Sequence, residues 1–228
     1  MPMRSVTAAG LALLLSCLGA GAEPLPDFAK DSLGEWLAVS DDGRPGCRIR
    51  LSAERTVGGW SAAPAANCAE RLPKLAGAAA WDYERGIRLR DATRRLLASF
   101  EEDETTLLKT RTGAGPALML VRAKPGVERA PFAPDLFGTW TMRRPGGPAL
   151  CEVTLLKTAP PGAEESFALR LGTPCDPAVT RLRLASWRVE DFALMLYGTA
   201  EASLRFEPGP DGYEKAEGGK PLHLVRAR

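Results

Sequence analysis

The sequence predicts an all-β protein made of two tandem, small, eight-stranded antiparallel up-and-down β-barrels, and three observations support this fold class. The chain of 228 residues repeats itself once, 104 residues apart. Each copy is a series of short segments in which apolar and polar residues alternate, separated by Gly, Pro and Asp turn signals. Each copy also has two cysteines at corresponding positions. We therefore expect one disulfide and one short helical turn in each barrel.

The repeat fixes the domain boundaries. The segment 33–36 (LGEW) returns as 137–140 (FGTW), and 120–123 (LVRA) returns unchanged as 224–227. Between them, Trp81 corresponds to Trp187. The predicted domains are therefore 33–123 and 136–228, joined by a Pro-rich linker at 124–135. Its three prolines favour an extended, semi-rigid spacer.

Short alternating runs predict the strands of each barrel. In the first copy they lie at 36–40, 47–52, 58–62, 79–83, 87–90, 96–101, 106–110 and 118–122, and the second copy gives a similar series. Short antiparallel strands of this number in about 90 residues favour a small closed barrel.

One helical turn is predicted after the second cysteine of each copy. In the first copy, Asn67 is a candidate cap for a turn at 68–72, which Pro73 would end. In the second copy, Asp176 is the candidate cap and Pro177 fits the first helical position.

Four of the five cysteines are predicted to form two disulfides. The repeat selects the pairs Cys47–Cys68 and Cys151–Cys175, because pairing across the copies would break their equivalence. The spacing matches neither a Cys-x-x-Cys redox motif nor a zinc ribbon. Bonds that close loops of this size stabilise a small domain, so the cysteines are predicted to be structural.

Tryptophans at matched positions are predicted to fill the barrel interiors. Trp36 and Trp81 have counterparts in Trp140 and Trp187, which favours packing over a binding cage. Trp60 has no counterpart. It is the tryptophan most readily placed at a surface, but core packing is the favoured interpretation for it too.

The N-terminal residues are typical of an export signal. A cationic start at 1–4, an apolar run at 8–15 and small residues at 20–22 predict a signal peptide over 1–22, cleaved after Ala22. A second interpretation stays open, because Leu14-Leu15-Ser16-Cys17 resembles a bacterial lipobox with lipidation at Cys17. The first predicts a periplasmic or secreted bacterial protein, and the second an outer-membrane lipoprotein.

Charge and histidine content argue against several classes of function. The 30 basic and 28 acidic side chains give no cationic footprint for nucleic acid. The single histidine, His223, lies in an alternating segment, so catalytic sites built on imidazole are not supported. We predict that the protein is not an enzyme and has no resident metal or cofactor, and that it reaches a membrane only through a lipid at Cys17.

The order of motifs resembles a known family. The first copy has LGEW at 33–36, CRIRL at 47–51, Cys68, and WDYERGIRL at 81–89. The second copy repeats GTW at 138–140, CEVTL at 151–155, Cys175 and Trp187, but lacks a counterpart of Gly86. This pattern is similar to the Inh family of periplasmic inhibitors of serralysin-type zinc proteases and to related outer-membrane lipoproteins.

The resemblance implies a function for the N-terminal segment at 23–32, called the trunk below. In the family, a trunk ahead of the barrel enters the protease cleft and obstructs the zinc site. The matching inhibitory residues here are Glu23, Pro24, Leu25, Pro26 and Asp27. The prolines would hold the trunk extended, which lowers the entropy lost on binding. The implied partner is a serralysin-type zinc metalloprotease.

The second copy has no chain end to insert, because the linker takes the place of its trunk. We expect it to serve as a spacer, a second binding surface or part of an envelope anchor. Two alternatives to the inhibitor remain. One is a lipoprotein anchored at Cys17 with a protease-inhibiting or structural role in the envelope. The other is a lipocalin-like carrier of a small apolar ligand, which the large side chains expected inside the barrels disfavour.

Overall fold

Two closed antiparallel barrels follow one another along the chain. This computed structural model describes residues 25–227, except 103, 105–106, 111–115, 161, 163–164, 200 and 217. In each barrel every strand pairs with its neighbour in sequence, and the last strand closes the barrel on the first. The predicted fold class is confirmed. The predicted signal peptide, with Cys17, lies outside the described residues.

The first barrel contains eight strands and three short helices. Its strands are β1 (Gly34–Ser40), β2 (Cys47–Thr56), β3 (Gly59–Pro64), β4 (Ala78–Tyr83), β5 (Gly86–Asp91), β6 (Leu96–Glu102), β7 (Leu108–Thr110) and β8 (Leu118–Arg122). Its helices are α1 (Asp27–Lys30), α2 (Cys68–Arg71) and α3 (Pro73–Ala76). The predicted strands occur in the predicted order, although β2 extends further, to Thr56.

The second barrel repeats this plan with eight strands and two short helices. Its strands are β9 (Gly138–Arg143), β10 (Ala149–Leu155), β11 (Phe167–Leu171), β12 (Ser186–Glu190), β13 (Ala193–Tyr197), β14 (Ser203–Gly209), β15 (Gly212–Lys215) and β16 (His223–Arg226). Its helices are α4 (Ala133–Leu136) and α5 (Pro177–Thr180). Within the described part of the chain, no helix has the length and hydropathy needed to cross a bilayer.

The helical turns depart from the prediction in the first barrel and agree with it in the second. Asn67 makes no capping hydrogen bond, because its own backbone is already helical (φ −68°, ψ −9°). The helical turn α2 ends at Arg71, before Pro73, as predicted, but Pro73 also begins a further helix, α3, since its fixed φ suits a first helical turn. In α5, the Asp176 carboxylate accepts a hydrogen bond from the Ala178 backbone N–H at 2.7 Å, as a cap should.

Both predicted disulfides are present, one in each barrel. Cys47 is bonded to Cys68, and Cys151 is bonded to Cys175. The first bond ties the start of β2 to α2. The second ties β10 to the segment just before α5.

The interior of each barrel is filled by large side chains. Trp81 and Trp187 are fully buried in the two cores, where the first donates its indole N–H to the Ser52 carbonyl and the second to the Leu156 carbonyl. Trp60 is also buried, with its ring centroid 5.2 Å from that of Trp81. The favoured interpretation of Trp60 as a core residue is confirmed.

The linker is packed against its surroundings, which the prediction of a spacer missed. Val127 and Ala130 are buried in a cluster that includes residues of both barrels, and the linker ends in the helical turn α4. Prolines limit regular structure, but they do not prevent apolar side chains between them from being buried.

Candidate functional site

The segment that precedes β1 folds back onto the first barrel. Leu25 packs against the barrel core, and Ala29, within α1, is fully buried in that core. Three backbone hydrogen bonds form the turn, the first from the Ala29 N–H to the Pro26 carbonyl at 2.9 Å. The chain is therefore fixed to the barrel before the first strand begins.

The predicted trunk residues divide into two groups. Glu23 and Pro24 lie outside the described residues. Leu25 and Pro26 are half-buried, and the side chain of Asp27 is exposed and pairs with Lys30 at 2.6 Å.

The trunk is extended over only part of its predicted length. Pro26 has the polyproline conformation that the sequence predicts (φ −57°, ψ 146°). The prediction is wrong for residues 27–30, which form α1. An acidic residue at the start of the turn, a basic one at its end and the burial of Ala29 together favour the helix there.

Two side chains of the first barrel, Trp36 and Arg122, hold the base of the trunk and are called the clamp below. The Trp36 indole N–H donates to the Ser32 carbonyl at 2.7 Å. The Arg122 guanidinium donates to the Leu33 carbonyl at 2.7 Å. It also lies over the Trp36 ring, 4.0 Å from the ring centroid, in a cation–π contact.

The guanidinium of the clamp stays charged although it is partly buried. Burial lowers the pKa of Arg122, and the negative charge of Asp31 opposes that shift. Arginine remains protonated in proteins, so the positive charge needed for the carbonyl and ring contacts is kept.

The second barrel contains an equivalent clamp, which holds a different segment of the chain. The Trp140 indole donates to the Leu136 carbonyl at 2.7 Å, and Arg226 donates to the carbonyls of Asp135 and Phe137 at 2.8 and 3.0 Å. The Arg226 guanidinium carbon lies 5.0 Å from the Trp140 ring centroid. The carbonyls held here lie at the junction of the linker and the second domain, so the second clamp fixes this junction where the first fixes the trunk.

Sequence reasoning found the tryptophans of the clamp but assigned no role to the arginines. The signal was present, because the repeated LVRA segments place Arg122 and Arg226 at equivalent positions.

No metal-binding arrangement was found in the described ranges: no group of three or more His, Cys, Asp or Glu side chains is placed to hold a metal ion. What the site provides is a peptide segment whose base is fixed to the barrel by hydrogen bonds. Backbone carbonyls at Ser32 and Leu33 are occupied by the clamp, and Ala29 and Leu25 before them pack on the barrel core.

A comparison with protein families gives a match that occurs twice along the chain. A family model described as protease inhibitor Inh matches residues 27–122 and again residues 131–226. The two matches together cover most of the chain, and each includes one barrel with the helical turn before it. A comparison with curated proteins gives no match.

Proposed function

Because this chain belongs to the Inh family of protease inhibitors, we propose that it inhibits a serralysin-type zinc metalloprotease by inserting its trunk into the active-site cleft. The observation that carries this proposal is the clamp of the first barrel. It holds the chain at Ser32 and Leu33, so the residues before them are presented from a fixed base.

The conformation of the trunk supports insertion. Protease clefts bind peptides in extended form, and Pro26 already has an extended backbone. A segment held extended before binding loses less conformational entropy in the cleft. Pro24 would add to this effect and would hinder cleavage of the bond before it.

The chemistry at the protease would involve the first residue of the processed chain. After signal cleavage between Ala22 and Glu23, the new N-terminal amine and the Glu23 carboxylate are both able to approach a zinc ion. A catalytic zinc keeps one position for water or substrate, and either group can take that position. The protease would then lack its activated water.

The proposed inhibitory segment belongs to the first barrel alone. In the second barrel the equivalent clamp holds the residues that join the linker to the second domain, and these are preceded by the rest of the chain. A chain end cannot be inserted from that position.

We propose export to the periplasm or outside the cell, with signal cleavage after Ala22. The two disulfides support an oxidising compartment. Lipidation at Cys17 is the alternative, and it would add a tether ahead of Glu23. The intact mass of the mature protein distinguishes the two, because lipidation adds acyl chains and keeps residues 17–22.

The proposed function is tested by titrating a serralysin-type zinc protease with recombinant protein that begins at Glu23. A serine protease serves as the control for target class. We expect stoichiometric inhibition of the zinc enzyme only. Undiminished activity of the zinc enzyme at a large excess of the protein would refute the proposed target.

The clamp predicts a difference between two matched variants, Arg122→Gln and Arg226→Gln. Each removes charged hydrogen bonds to carbonyls and a cation–π contact at an exposed site, so each should lower the free energy of unfolding by about 1 kcal/mol. Arg122→Gln should also weaken inhibition by about tenfold, because the trunk base is less ordered before binding. Arg226→Gln should leave inhibition within about twofold of the wild type. Urea unfolding and inhibition constants provide the measurements, and equal inhibition by both variants would contradict a role for the clamp.

A further inference from the structure

The outward side of the strands that close the first barrel is apolar and covered. Trp36 and Ala38 of β1 point into the barrel core, while Leu37 and Val39 alternate with them. An outward strand face in a single barrel normally contacts water. Leu37 and Val39 are nevertheless fully buried, and Met119 of β8 beside them is 2% exposed. These three residues are called the docking face below.

The second barrel and the linker cover the docking face. The cluster around it contains Val127 and Ala130 of the linker and Phe192 of the second barrel. Phe192 lies between β12 and β13, is 5% exposed, and belongs to this cluster and not to the core of its own barrel. Its side chain therefore serves the contact between the barrels.

Ion pairs border the apolar contact. Lys109 of β7 pairs with Asp191, the residue before Phe192, and Lys124 pairs with Glu207 of β14 at 3.1 Å. Both pairs join a lysine of the first barrel or linker to a carboxylate of the second barrel. An apolar centre with charges at its edge is the usual arrangement of a specific protein interface.

The linker is tied to the first barrel by its backbone. The Gly46 N–H donates to the Glu128 carbonyl at 2.7 Å, and Arg48 donates to the carbonyls of Lys124 and Val127. Arg71 donates to the Glu128 carboxylate at 2.6 Å, and this hydrogen bond lowers the pKa of Glu128. The linker therefore holds the second barrel beside the docking face.

The two copies differ at the positions that make this contact. The residues of the second barrel equivalent to the docking face are Thr141, Arg143 and His223, which are polar or charged and half-buried. Conversely, Gly86 stands five residues after Trp81, whereas Phe192 stands five residues after Trp187. Only the first copy has the apolar face, and only the second has the aromatic residue that covers it.

The contact lies next to the clamp. One cleft between the barrels is lined by Trp36 and Arg122 of the clamp and by Phe192 and Arg205 of the second barrel. Leu37 of the docking face also follows Trp36 directly on β1 and pairs with Val121, the residue before Arg122.

We propose that the docking face is an interaction surface whose partner is the second barrel of the same chain, and that this contact positions the trunk. By fixing β1 and β8 from outside, the second barrel keeps the clamp in place when the trunk is bound. The effect on inhibition rests on the proposed function. The docking itself does not.

The test uses three variants of the full chain that begins at Glu23. Phe192→Asp places a charge in the apolar contact, and Phe192→Leu keeps it apolar. Val57→Asp is the control, because Val57 is an apolar residue in the turn between β2 and β3 and is 60% exposed. We expect Phe192→Asp to separate the barrels, seen as a larger radius of gyration in X-ray scattering and faster amide exchange in β1. We also expect the protease complex to dissociate about tenfold faster with little change in association rate.

A second variant makes the test independent of the fold of the second barrel. It replaces the three residues of the docking face by their equivalents from the second copy: Leu37→Thr, Val39→Arg and Met119→His. The second barrel already has these residue types at the equivalent positions, so the barrel fold tolerates them. It should give the same scattering, exchange and dissociation changes, whereas Phe192→Leu and Val57→Asp should behave as the wild type.

Three outcomes would count against the proposal in different ways. Wild-type scattering from both disrupting variants would overturn the docking. Separated barrels with unchanged dissociation of the protease would overturn the role in positioning the trunk. A wild-type chain that is compact but does not inhibit would overturn the proposed function, and with it the positioning role, while the scattering still supports the docking.

Discussion

A chain that begins at Asp27 instead of Glu23 is expected to lose about a hundredfold in its inhibition of the zinc protease, which corresponds to about 2.7 kcal/mol of binding free energy. The shortened chain lacks four of the five predicted inhibitory residues, including Glu23, whose amine or carboxylate would approach the zinc ion. Inhibition constants for the two forms provide the measurement.

The structure explains why a chain that begins at Asp27 is a better test of trunk insertion than a chain that begins at Leu33. A chain that begins at Leu33 also loses Ala29, which is fully buried, and the Ser32 carbonyl, which accepts from Trp36. Its weaker inhibition could then reflect a damaged barrel. The chain that begins at Asp27 keeps both, so only the partly buried Leu25 is lost from the core, at a cost of about 1 kcal/mol. Full inhibition by the Asp27 form would rule out insertion of the trunk.

Replacing Trp81 by alanine is expected to lower the free energy of unfolding of the first barrel by about 3–5 kcal/mol. Trp81 is fully buried, contacts Trp60, and occupies the Ser52 carbonyl with its indole N–H. The variant loses that packing and leaves the carbonyl without its donor. Because small domains are stable by about 5–15 kcal/mol, this loss is a large fraction of the stability of the first barrel.

Trp187→Ala is the matched variant in the second barrel. Its side chain is equally buried and its indole donates to the equivalent carbonyl, of Leu156. Urea unfolding should show a similar loss of stability, assigned to the second barrel by the remaining tryptophan fluorescence. Trp81→Ala should reduce inhibition more than Trp187→Ala, because the trunk is held by the first barrel. A loss below about 1.5 kcal/mol for either variant would show that the cores are more adaptable than their packing indicates.

The fold could be predicted because it follows from local sequence patterns that occur in both copies of the repeat. Alternation marks each strand, and the repeat of Trp36, Cys47 and Trp81 in the second copy fixes the domain limits and the disulfides. Helical turns were harder to place. Pro73 both ends one helical turn and begins another, and its sequence neighbourhood favours either.

The site could be predicted only in part. The helix α1 depends on Ala29 entering the core of a barrel that forms around it, which is a tertiary effect that no local pattern contains. The docking face was visible in principle, since aligning the copies sets Leu37 and Val39 against Thr141 and Arg143. Alternation alone gave no reason to examine the outward positions, because it predicts that they contact water.

The place of the docking face also has a consequence for the order of folding. β1 and β8 come from opposite ends of the first domain, and their pairing closes the barrel. Contacts between residues so far apart in sequence have the largest loop-closure cost and limit the rate of folding. Leu37, Val39 and Met119 form one surface only after this pairing. Docking of the second barrel must therefore follow closure of the first, and it then protects the seam that forms last.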